Sequence, residues 1–305
     1  MMRNFDEVIN HLGARQKRKV AVVWPLDEHT VEAVDEALRL DIADFVLIGS
    51  KSPAVNALQG RYGARVDVVE TPDADAAVRE AVAMVRRGEA DVLMKGLVNT
   101  ENLLKAVLDK NEGILAPGCV LSHVTCAEIP MMNRLLFFSD AAVIPFPSAE
   151  QLVAMTGYAA DVCRAFGVER PAIALIHCNE KTNPKFPVTT AYTLIKEKAS
   201  EGCFGDVCVD GPMDVKTALD AHSAQIKGIK SAVSGRADAL IFPDIEAANV
   251  FYKAISFFAN SVNGGMLLGA SAPVVLPSRS DSSRSKLCSI ASACVYASSK
   301  LEKTK

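Results

Sequence analysis

Aromatic residues and long apolar runs are both scarce in this chain. Aromatic side chains make up 6% of the 305 residues and hydrophobic residues 50%, so the core must consist mainly of Ala, Val, Leu and Ile. No apolar run is long enough to span a bilayer, and the stretch 1–20 has early acids and no long apolar core, so neither a membrane span nor a secretory signal is predicted. The net charge of −3 gives no reason to expect nucleic acid or a membrane surface as a partner. We therefore expect a cytoplasmic α/β protein of one large or two ordinary domains.

The common catalytic and cofactor-binding motifs are also missing. Neither G-x-G-x-x-G nor G-x-x-x-x-G-K-[ST] occurs, which excludes the two usual nucleotide-binding loops, and there is no G-x-S-x-G nucleophile elbow. The five histidines lack ligand spacing, so no metal site is predicted. The eight cysteines include no C-x-x-C pair and are interpreted as small core residues in a reducing compartment. What remains is anion binding and one candidate base, which suits a transfer reaction in which an anion is itself the nucleophile and no nucleophile of the protein is needed.

Strand-like and helix-like segments alternate along the chain. Short β-rich runs at 20–24, 45–48, 66–69 and 91–94 are separated by helical patterns, which begin at signals such as Asp27 and Ser52-Pro53. This alternation predicts a mostly parallel sheet with helices on both faces. A loop with Gly and Pro at 111–118 indicates the crossing to a second domain. Beyond it, Ser148 and Gln151 form a capping box before a long helix, and a strand at 207–209 is expected to end at 210–212. The tail 298–305 is expected to fray.

The stretch 273–290 is the strongest candidate for a site. A short apolar run at 273–276 breaks at Pro277, and hydroxyls, Arg279 and Asp281 follow before a helical pattern. A helix N-terminus favours a bound anion, and an arginine can hold phosphate or carboxylate with two hydrogen bonds. A carboxylate is costly there, which indicates that Asp281 accepts a proton. A helix cap rich in Ser and Asp explains the same residues equally well.

A second junction follows the strand at 91–94. Lys95 and Gly96 end this strand, and Thr100 is a natural N-cap for the next helix. Ligands of open α/β sheets bind outside the carboxyl ends of the strands, so these residues are placed for a ligand, although an ordinary strand-to-helix turn is as good an interpretation. Polar residues also stand at other strand ends, at Asp210, Asp244 and 278–279, and together they suggest one shared cleft.

Six motifs in order along the chain resemble the phosphate acetyl/butyryltransferase family, and most closely its phosphate butyryltransferase branch. They are SRSDSS at 278–283 with SKL at 285–287, ADVLMKGLVNT at 90–100, LSHV at 121–124, EK at 180–181 with NPK at 183–185, VDGP at 209–212, and FPDIEA at 242–247 with Asn249, Tyr252 and Lys253. Each motif alone is weak, but their order covers nearly the whole chain.

The resemblance implies the reversible conversion of acyl-CoA and phosphate to acyl phosphate and coenzyme A, with butyryl or branched C4 groups favoured. It implies two α/β domains around an active-site cleft, with the fold of isocitrate and isopropylmalate dehydrogenases, in a homo-oligomer. Residues 1–116 with 268–305 would form the first domain, and residues 117–267 the second. No cofactor beyond the substrate coenzyme A is implied, and an acyl kinase would be the pathway partner.

By analogy with the family, Ser278 would hydrogen-bond the sulfur of coenzyme A and Arg279 would hold phosphate or the thioester carbonyl. Relatives in the acetyl branch have an aspartate where this chain has Ser285, so the role of base is assigned to Asp281 as a hypothesis. The residues expected to line the coenzyme A and phosphate site are Lys95, Gly96, Thr100, Ser122, His123, Asp244, Asn249 and Lys253. His123 stands in an apolar run, where a core histidine with satisfied hydrogen bonds is at least as probable on the sequence alone.

This chain departs from the family pattern at Ile144, Ser148, Lys216 and Ala248, where relatives often have Asn, Asp, Asp and Gly. Three other functions remain open at this point. They are a phosphate acetyltransferase, an acyl-CoA-sensing module without catalysis, and a hydride-transferring relative of the same fold, for which no aspartate cluster is found.

Overall fold

A computed structural model describes residues 1–278 and 281–304, and its chain forms two compact units. The terminal unit consists of Asn4–Leu121 and Val262–Lys305, and the central unit consists of Met1–Arg3 and Ser122–Ser261.

The helices and strands follow one another in an alternating order. The first part of the terminal unit contains α1 (Phe5–Gly13), β1 (Arg18–Val23), α2 (Glu28–Arg39), β2 (Ala43–Gly49), α3 (Pro53–Tyr62), a 3₁₀ turn (Gly63–Arg65), β3 (Val66–Glu70), α4 (Ala74–Arg86), β4 (Val92–Lys95) and α5 (Thr100–Val107). The central unit contains β5 (Ser122–Glu128), β6 (Leu136–Ser139), α6 (Ala149–Ala165), β7 (Ala172–Ile176), α7 (Pro187–Ser200), β8 (Cys208–Met213), α8 (Val215–Leu219), α9 (Ala221–Ile226), β9 (Ala239–Ile241) and α10 (Ile245–Phe258). The chain returns to the terminal unit with β10 (Val262–Leu268), β11 (Val274–Val275) and α11 (Ser283–Thr304).

Each unit has a mostly parallel sheet. In the terminal unit the strand order is β3-β2-β1-β4-β11-β10, and only the β10–β11 pair is antiparallel. In the central unit the order is β5-β6-β9-β7-β8, and only the β5–β6 pair is antiparallel. The predicted mixed α/β architecture is therefore confirmed.

Side-chain caps explain where most helices begin. Asp27, Ser52 and Asp73 accept hydrogen bonds from the first turns of α2, α3 and α4, and Ser148 closes the predicted capping box of α6. The prediction that Thr100 caps α5 is wrong. Asn99 has the extended backbone of a cap and its Oδ1 accepts from the N–H of Glu101 at 2.9 Å, so Thr100 is already the first helical residue.

Helix α11 supplies much of the core of the terminal unit. The predicted inward residues are all buried, namely Leu287, Ile290, Ala291, Cys294 and Val295. Close packing against β10 requires a glycine at position 264, because a Cβ there would lie 2.6 Å from the carbonyl oxygen of Cys288. Burial also raises the pKa of the Cys294 thiol to about 12, which leaves this cysteine an unreactive core residue.

Four of the eight cysteines are buried as predicted: Cys126, Cys163, Cys288 and Cys294. Cys119, Cys178 and Cys203 are exposed and Cys208 is half-buried, so the core interpretation is wrong for the exposed three.

Two details of the sequence prediction are wrong. Strand β8 does not end at Asp210 but continues through Gly211-Pro212 to Met213, which β8 tolerates because it is an edge strand with a register shift beside the proline. The tail is helical to Thr304, with an ion pair between Glu302 and Arg15 and the Lys300 ammonium over the ring of Tyr296. No helix of the described residues has the length and apolar character needed to cross a bilayer.

Candidate active site

Two hydrogen bonds join Ser278, after β11, to Asp281, before α11. The backbone N–H of Ser278 donates to Oδ2 of Asp281 at 2.8 Å, and the N–H of Asp281 donates to the carbonyl of Ser278 at 3.2 Å. Arg279, to which the sequence assigns the grip on phosphate, lies outside the described residues. The Asp281 carboxylate is therefore held against the backbone of the proposed sulfur-binding serine.

The cap of α11 is Ser282. Its Oγ accepts from the N–H of Ser285 at 3.2 Å, as an N-cap side chain does. Among the described residues, the Asp281 carboxylate accepts one hydrogen bond, from the backbone N–H of Ser278, and none from the first turn of α11. The interpretation of this segment as a cap thus holds for Ser282, while Asp281 is left for another role.

Lys95 and Gly96 lie at the carboxyl end of β4. Lys95 is 4% exposed, and its Nζ donates to the carbonyl of Gly96 at 3.2 Å. A Cβ at Gly96 would lie 2.5 Å from the carbonyl oxygen of Val23, so the close approach to the end of β1 excludes larger residues. The glycine therefore allows the chain after β4 to pass close to the end of β1.

The structure adds Lys286 and Asp27, which the sequence reasoning did not assign to the site. Lys286 is 3% exposed, and its Nζ donates to Oδ1 of Asp27 at 2.6 Å and to Oγ1 of Thr30 at 2.9 Å. Burial raises the pKa of Asp27, but the hydrogen bonds from Lys286 and Thr30 outweigh it and hold that pKa below its usual value. The ion pair ties the first turn of α11 to the cap of α2.

These residues enclose a cavity of about 150 Å³ in the terminal unit. Its lining comprises Asp27, Lys95, Gly96, Leu97, Pro277, Ser278 and Lys286. Two ammonium groups face one carboxylate, and the N-terminus of the 22-residue helix α11 adds positive potential. The cavity therefore has the charge to hold a small anion beside the hydroxyl of Ser278.

Thr100, which the sequence also assigned to this site, does not line the cavity. It is exposed on the first turn of α5, five residues beyond Lys95.

In the central unit, the predicted site residues gather around one turn. Ser122 is fully buried, and its Oγ donates to Oδ2 of Asp140 at 3.0 Å, while the backbone N–H of His123 donates to the same oxygen at 2.9 Å. Oδ1 of Asp140 accepts from the N–H groups of Ala142 and Val143 at 2.8 and 2.9 Å. Asp140 thus organises the turn 140–143, and an aspartate directly after a buried strand is the signal that could have revealed it.

Helix α10 carries the other predicted residues of this unit. Asp244 caps it through the N–H of Ala247 at 2.8 Å, and Nδ2 of Asn249 donates to the carbonyl of Ala141 at 3.0 Å. Lys253 is exposed, with its ammonium 4.5 Å from the ring centre of Tyr252. Asn249 therefore joins Ser122 and His123 around the turn 140–143. Asp210 lies elsewhere, on β8, where its Oδ1 is 3.6 Å from Nζ of Lys196.

The four departures from the family pattern have simple structural settings. Ile144 and Ala248 are buried core residues, and Ser148 caps α6, as the aspartate of relatives also could. Lys216 is exposed in the first turn of α8.

Comparisons with known proteins agree along almost the whole chain. A family model described as phosphate acetyl/butaryl transferase matches residues 54–294. The phosphate butyryltransferase of Clostridium acetobutylicum is 37% identical over 98% of this chain and 100% of its own length. The phosphate acetyltransferase of Thermotoga maritima is 35% identical over 96% of this chain and 100% of its own length. The crystal structure of a branched-chain phosphotransacylase from Enterococcus faecalis V583 superimposes with a TM-score of 0.81, 27% identity and coverage of 92% of this chain and 99% of the other.

Proposed function

The chain belongs to the phosphate acetyl/butyryl transferase family, and on this basis we propose that it is an acyltransferase that converts a short-chain acyl-CoA and inorganic phosphate to an acyl phosphate and coenzyme A, reversibly. Butyryl and branched C4 groups are the favoured substrates. The curated butyryltransferase relatives and the branched-chain phosphotransacylase support this choice over acetyl. A sensing module without catalysis is not favoured, because the relatives are named as enzymes.

The cationic cavity is the observation that supports the proposal most directly. Inorganic phosphate needs several hydrogen-bond donors and a positive field, and the cavity offers the Lys95 and Lys286 ammonium groups and the N-terminus of α11. Lys95 ends β4 and lines the cavity together with Ser278. We therefore assign phosphate to the Lys95 side, with Arg279 as a second cation.

The reaction follows from this placement. An oxygen of phosphate attacks the carbonyl carbon of the thioester, the charge that develops on the carbonyl oxygen is stabilised by Arg279, and the C–S bond breaks. Ser278 donates a hydrogen bond to the sulfur as negative charge develops on it. Asp281 takes the proton that phosphate gives up and passes it to the sulfur, so that coenzyme A leaves as a thiol. In the reverse direction Asp281 deprotonates the thiol for attack on the acyl phosphate.

The remaining predicted residues complete the proposal. Gly96 and Thr100 would line the phosphate and coenzyme A site, as would Ser122, His123, Asp244, Asn249 and Lys253. We propose that the two units are the domains of an isocitrate-dehydrogenase-like fold and that this site lies in the cleft between them. The bonds of Ser122 and Asn249 to the turn 140–143 support positioning roles for these two residues.

We also propose a homo-oligomer in the cytoplasm that works beside an acyl kinase. Helix α10 leaves Val250, Phe257 and Phe258 69%, 79% and 82% exposed, and a second copy of the chain would cover such an apolar face. Sedimentation of wild type and of Phe257→Glu tests this, because a charge in the interface would shift the assembly towards monomer.

The function is tested by phosphate-dependent release of free thiol from acetyl-, propionyl-, butyryl- and isobutyryl-CoA. We expect release only with phosphate present and fastest with the C4 substrates. A maximum with acetyl-CoA would keep the reaction and overturn the C4 preference. No release from a folded protein that binds coenzyme A would overturn the proposed enzyme.

A further inference from the structure

A second cavity of the terminal unit lies towards the other end of α11. Its volume is about 330 Å³, and among the described residues its lining comprises Arg15, Gln16, Arg18, Ser298, Leu301 and Glu302. Arg18 is the first residue of β1, whereas Asp27 of the candidate active site comes after the carboxyl end of that strand. Ser298 stands twelve residues beyond Lys286 on α11, about 18 Å along the helix axis. The cavity is therefore separate from the candidate active site.

Two buried polar atoms of this lining have no hydrogen-bond partner among the described residues. One is Oγ of Ser298, a residue that is 5% exposed, and the other is Nε of Arg18, whose side chain is 14% exposed. Oδ1 of Asp91 is 3.8 Å from Nη1 of Arg18, which is too far for a hydrogen bond. The Nε–H group can only donate, and a hydroxyl can donate as well. Because buried polar groups are nearly always paired, the two atoms indicate a ligand that accepts hydrogen bonds.

The charge of the lining favours an anion at one side of the cavity. Two guanidinium groups stand against one carboxylate, so one positive charge is in excess. Glu302 forms an ion pair with Arg15, and the excess charge therefore belongs to Arg18. The carboxyl end of α11 carries negative potential, which disfavours an anion beside Glu302. An anionic group is thus expected next to Arg18 and Ser298, and an arginine matches the two oxygens of a carboxylate.

The size and the remaining wall of the cavity favour a short apolar chain on that anion. Ligand pockets commonly have volumes of about 300–1,000 Å³, so this cavity suits a molecule of few atoms. Leu301 lines it and is 42% exposed. An alkyl chain laid against this side chain would remove apolar surface from water.

From these features we propose that the cavity binds a short-chain monocarboxylate, whose carboxylate accepts hydrogen bonds from Nε of Arg18 and Oγ of Ser298 and whose alkyl chain covers Leu301. This site is additional to the one that the proposed function uses, and it does not rest on that function.

The test is calorimetric titration of the full chain with butyrate, and with acetate and inorganic phosphate as comparison probes. We expect butyrate to bind about threefold more tightly than acetate, because its longer chain reaches Leu301. Arg18→Gln should raise the Kd for butyrate by about tenfold or more, since it removes the charge and the Nε–H donor. Arg39→Gln is the matched control, because this exposed arginine of α2 lies in the same unit outside the lining, and its Kd should equal that of wild type.

Ser298→Ala gives a test that does not depend on a charge. It should also raise the Kd by about tenfold. The melting temperature should stay at or above that of wild type, because the hydroxyl that is lost has no partner in the free protein. Ser299→Ala is its control on the same helix, since Oγ of Ser299 already donates to the carbonyl of Tyr296 at 2.8 Å and the residue does not line the cavity. Its Kd should be unchanged.

Glu302→Gln tests the direction of the electrostatic effect. It removes the only carboxylate of the described lining, so we expect butyrate to bind about threefold more tightly, and the gain to shrink at high salt. A purely structural role of the unpaired atoms predicts no such change.

Three results would overturn the proposal. They are the absence of butyrate binding, a Kd for butyrate in Arg18→Gln and Ser298→Ala equal to that of the controls, and loss in these two variants of phosphate binding alone. The second result would place butyrate elsewhere on the protein, and the third would replace the carboxylate by phosphate. Butyrate binding is measured without acyl-CoA, so it can fail while thiol release succeeds, and the reverse also holds.

Discussion

Replacing Lys286 by methionine tests how the candidate site is held together. The substitution keeps the length of the side chain and removes the ammonium group that donates to Asp27 at 2.6 Å and to Thr30 at 2.9 Å. Asp27 keeps its place as the cap of α2 but loses its counter-charge. We expect a loss of both stability and phosphate-dependent turnover, because α11 and the cavity depend on the same ion pair.

The size of the stability loss follows from burial. Breaking a fully buried pair costs about 3–5 kcal/mol, and a hydrogen bond to a charged group contributes about 1.5–3 kcal/mol. The Lys286 side chain is 4% exposed but that of Asp27 is 25% exposed, so water can replace part of the lost interaction. We therefore expect the free energy of unfolding to fall by about 2–3 kcal/mol.

Urea unfolding of a double-mutant cycle measures this value. Asp27→Asn still caps α2, so the double variant Lys286→Met with Asp27→Asn should be more stable than the two separate losses predict, by about 1 kcal/mol or more. Lys230→Met is the control, since this lysine is exposed and lies in the central unit, and the stability of the variant should stay within about 0.5 kcal/mol of wild type. A coupling energy near zero would refute the reasoning about the pair.

The pair also predicts a pH dependence with a definite sign. The pKa of Asp27 is lowered in the folded protein, so its stabilisation is present above the ordinary value of 3.8 and is lost as the pH falls through the lowered pKa. The Lys286→Met variant should lose less stability than wild type in that acid range. An equal loss in both proteins would assign the acid sensitivity to other carboxylates.

Three further substitutions separate the roles around the cavity. In Asp281→Asn the asparagine can still accept a hydrogen bond from the Ser278 N–H but cannot take a proton. Turnover should therefore fall by about 10²–10⁴-fold while stability is unchanged. Turnover equal to that of wild type would remove Asp281 from the mechanism. Arg279→Ala should strongly reduce turnover and leave the melting temperature unchanged, and wild-type rates would end its assignment. Gly96→Ala places a Cβ 2.5 Å from the carbonyl oxygen of Val23 and should lower the free energy of unfolding, measured in urea, by about 1–3 kcal/mol. Gly60→Ala is the control, because nothing lies within 4 Å of the added Cβ, and it should leave the stability unchanged or raise it. An equal response of the two variants would refute the close-approach argument.

Much of the fold could be predicted because local chemistry determines it. The caps Asp27 and Ser52 and the capping box at Ser148 are short-range signals, and the structure has helices where they predict them. The failure at Thr100 has a local cause as well, since Asn99 and Thr100 are both good caps and sequence alone does not choose between neighbours. The continuation of β8 past Asp210 depends on its place at the sheet edge, which is a property of the tertiary structure.

The candidate site could be predicted only in part. Lys95 and Ser278 were identified because each directly follows an apolar run, and both line the cavity. Lys286 and Asp27 are 259 positions apart in the chain, and no pattern along the sequence pairs a helix lysine with a distant helix cap. Asp27 does follow the apolar run of β1, so the same strand-end rule could have added it to the candidates.

The central claim is that this chain makes acyl phosphate, and trapping that product tests it most directly. Purified protein is incubated with butyryl-CoA and inorganic phosphate, hydroxylamine converts any butyryl phosphate to butyryl hydroxamate, and the hydroxamate is quantified against released thiol. We expect one hydroxamate per thiol above the background without phosphate, and neither product above that background with Arg279→Ala. Thiol release without hydroxamate would mean hydrolysis of the thioester and would contradict the transfer to phosphate.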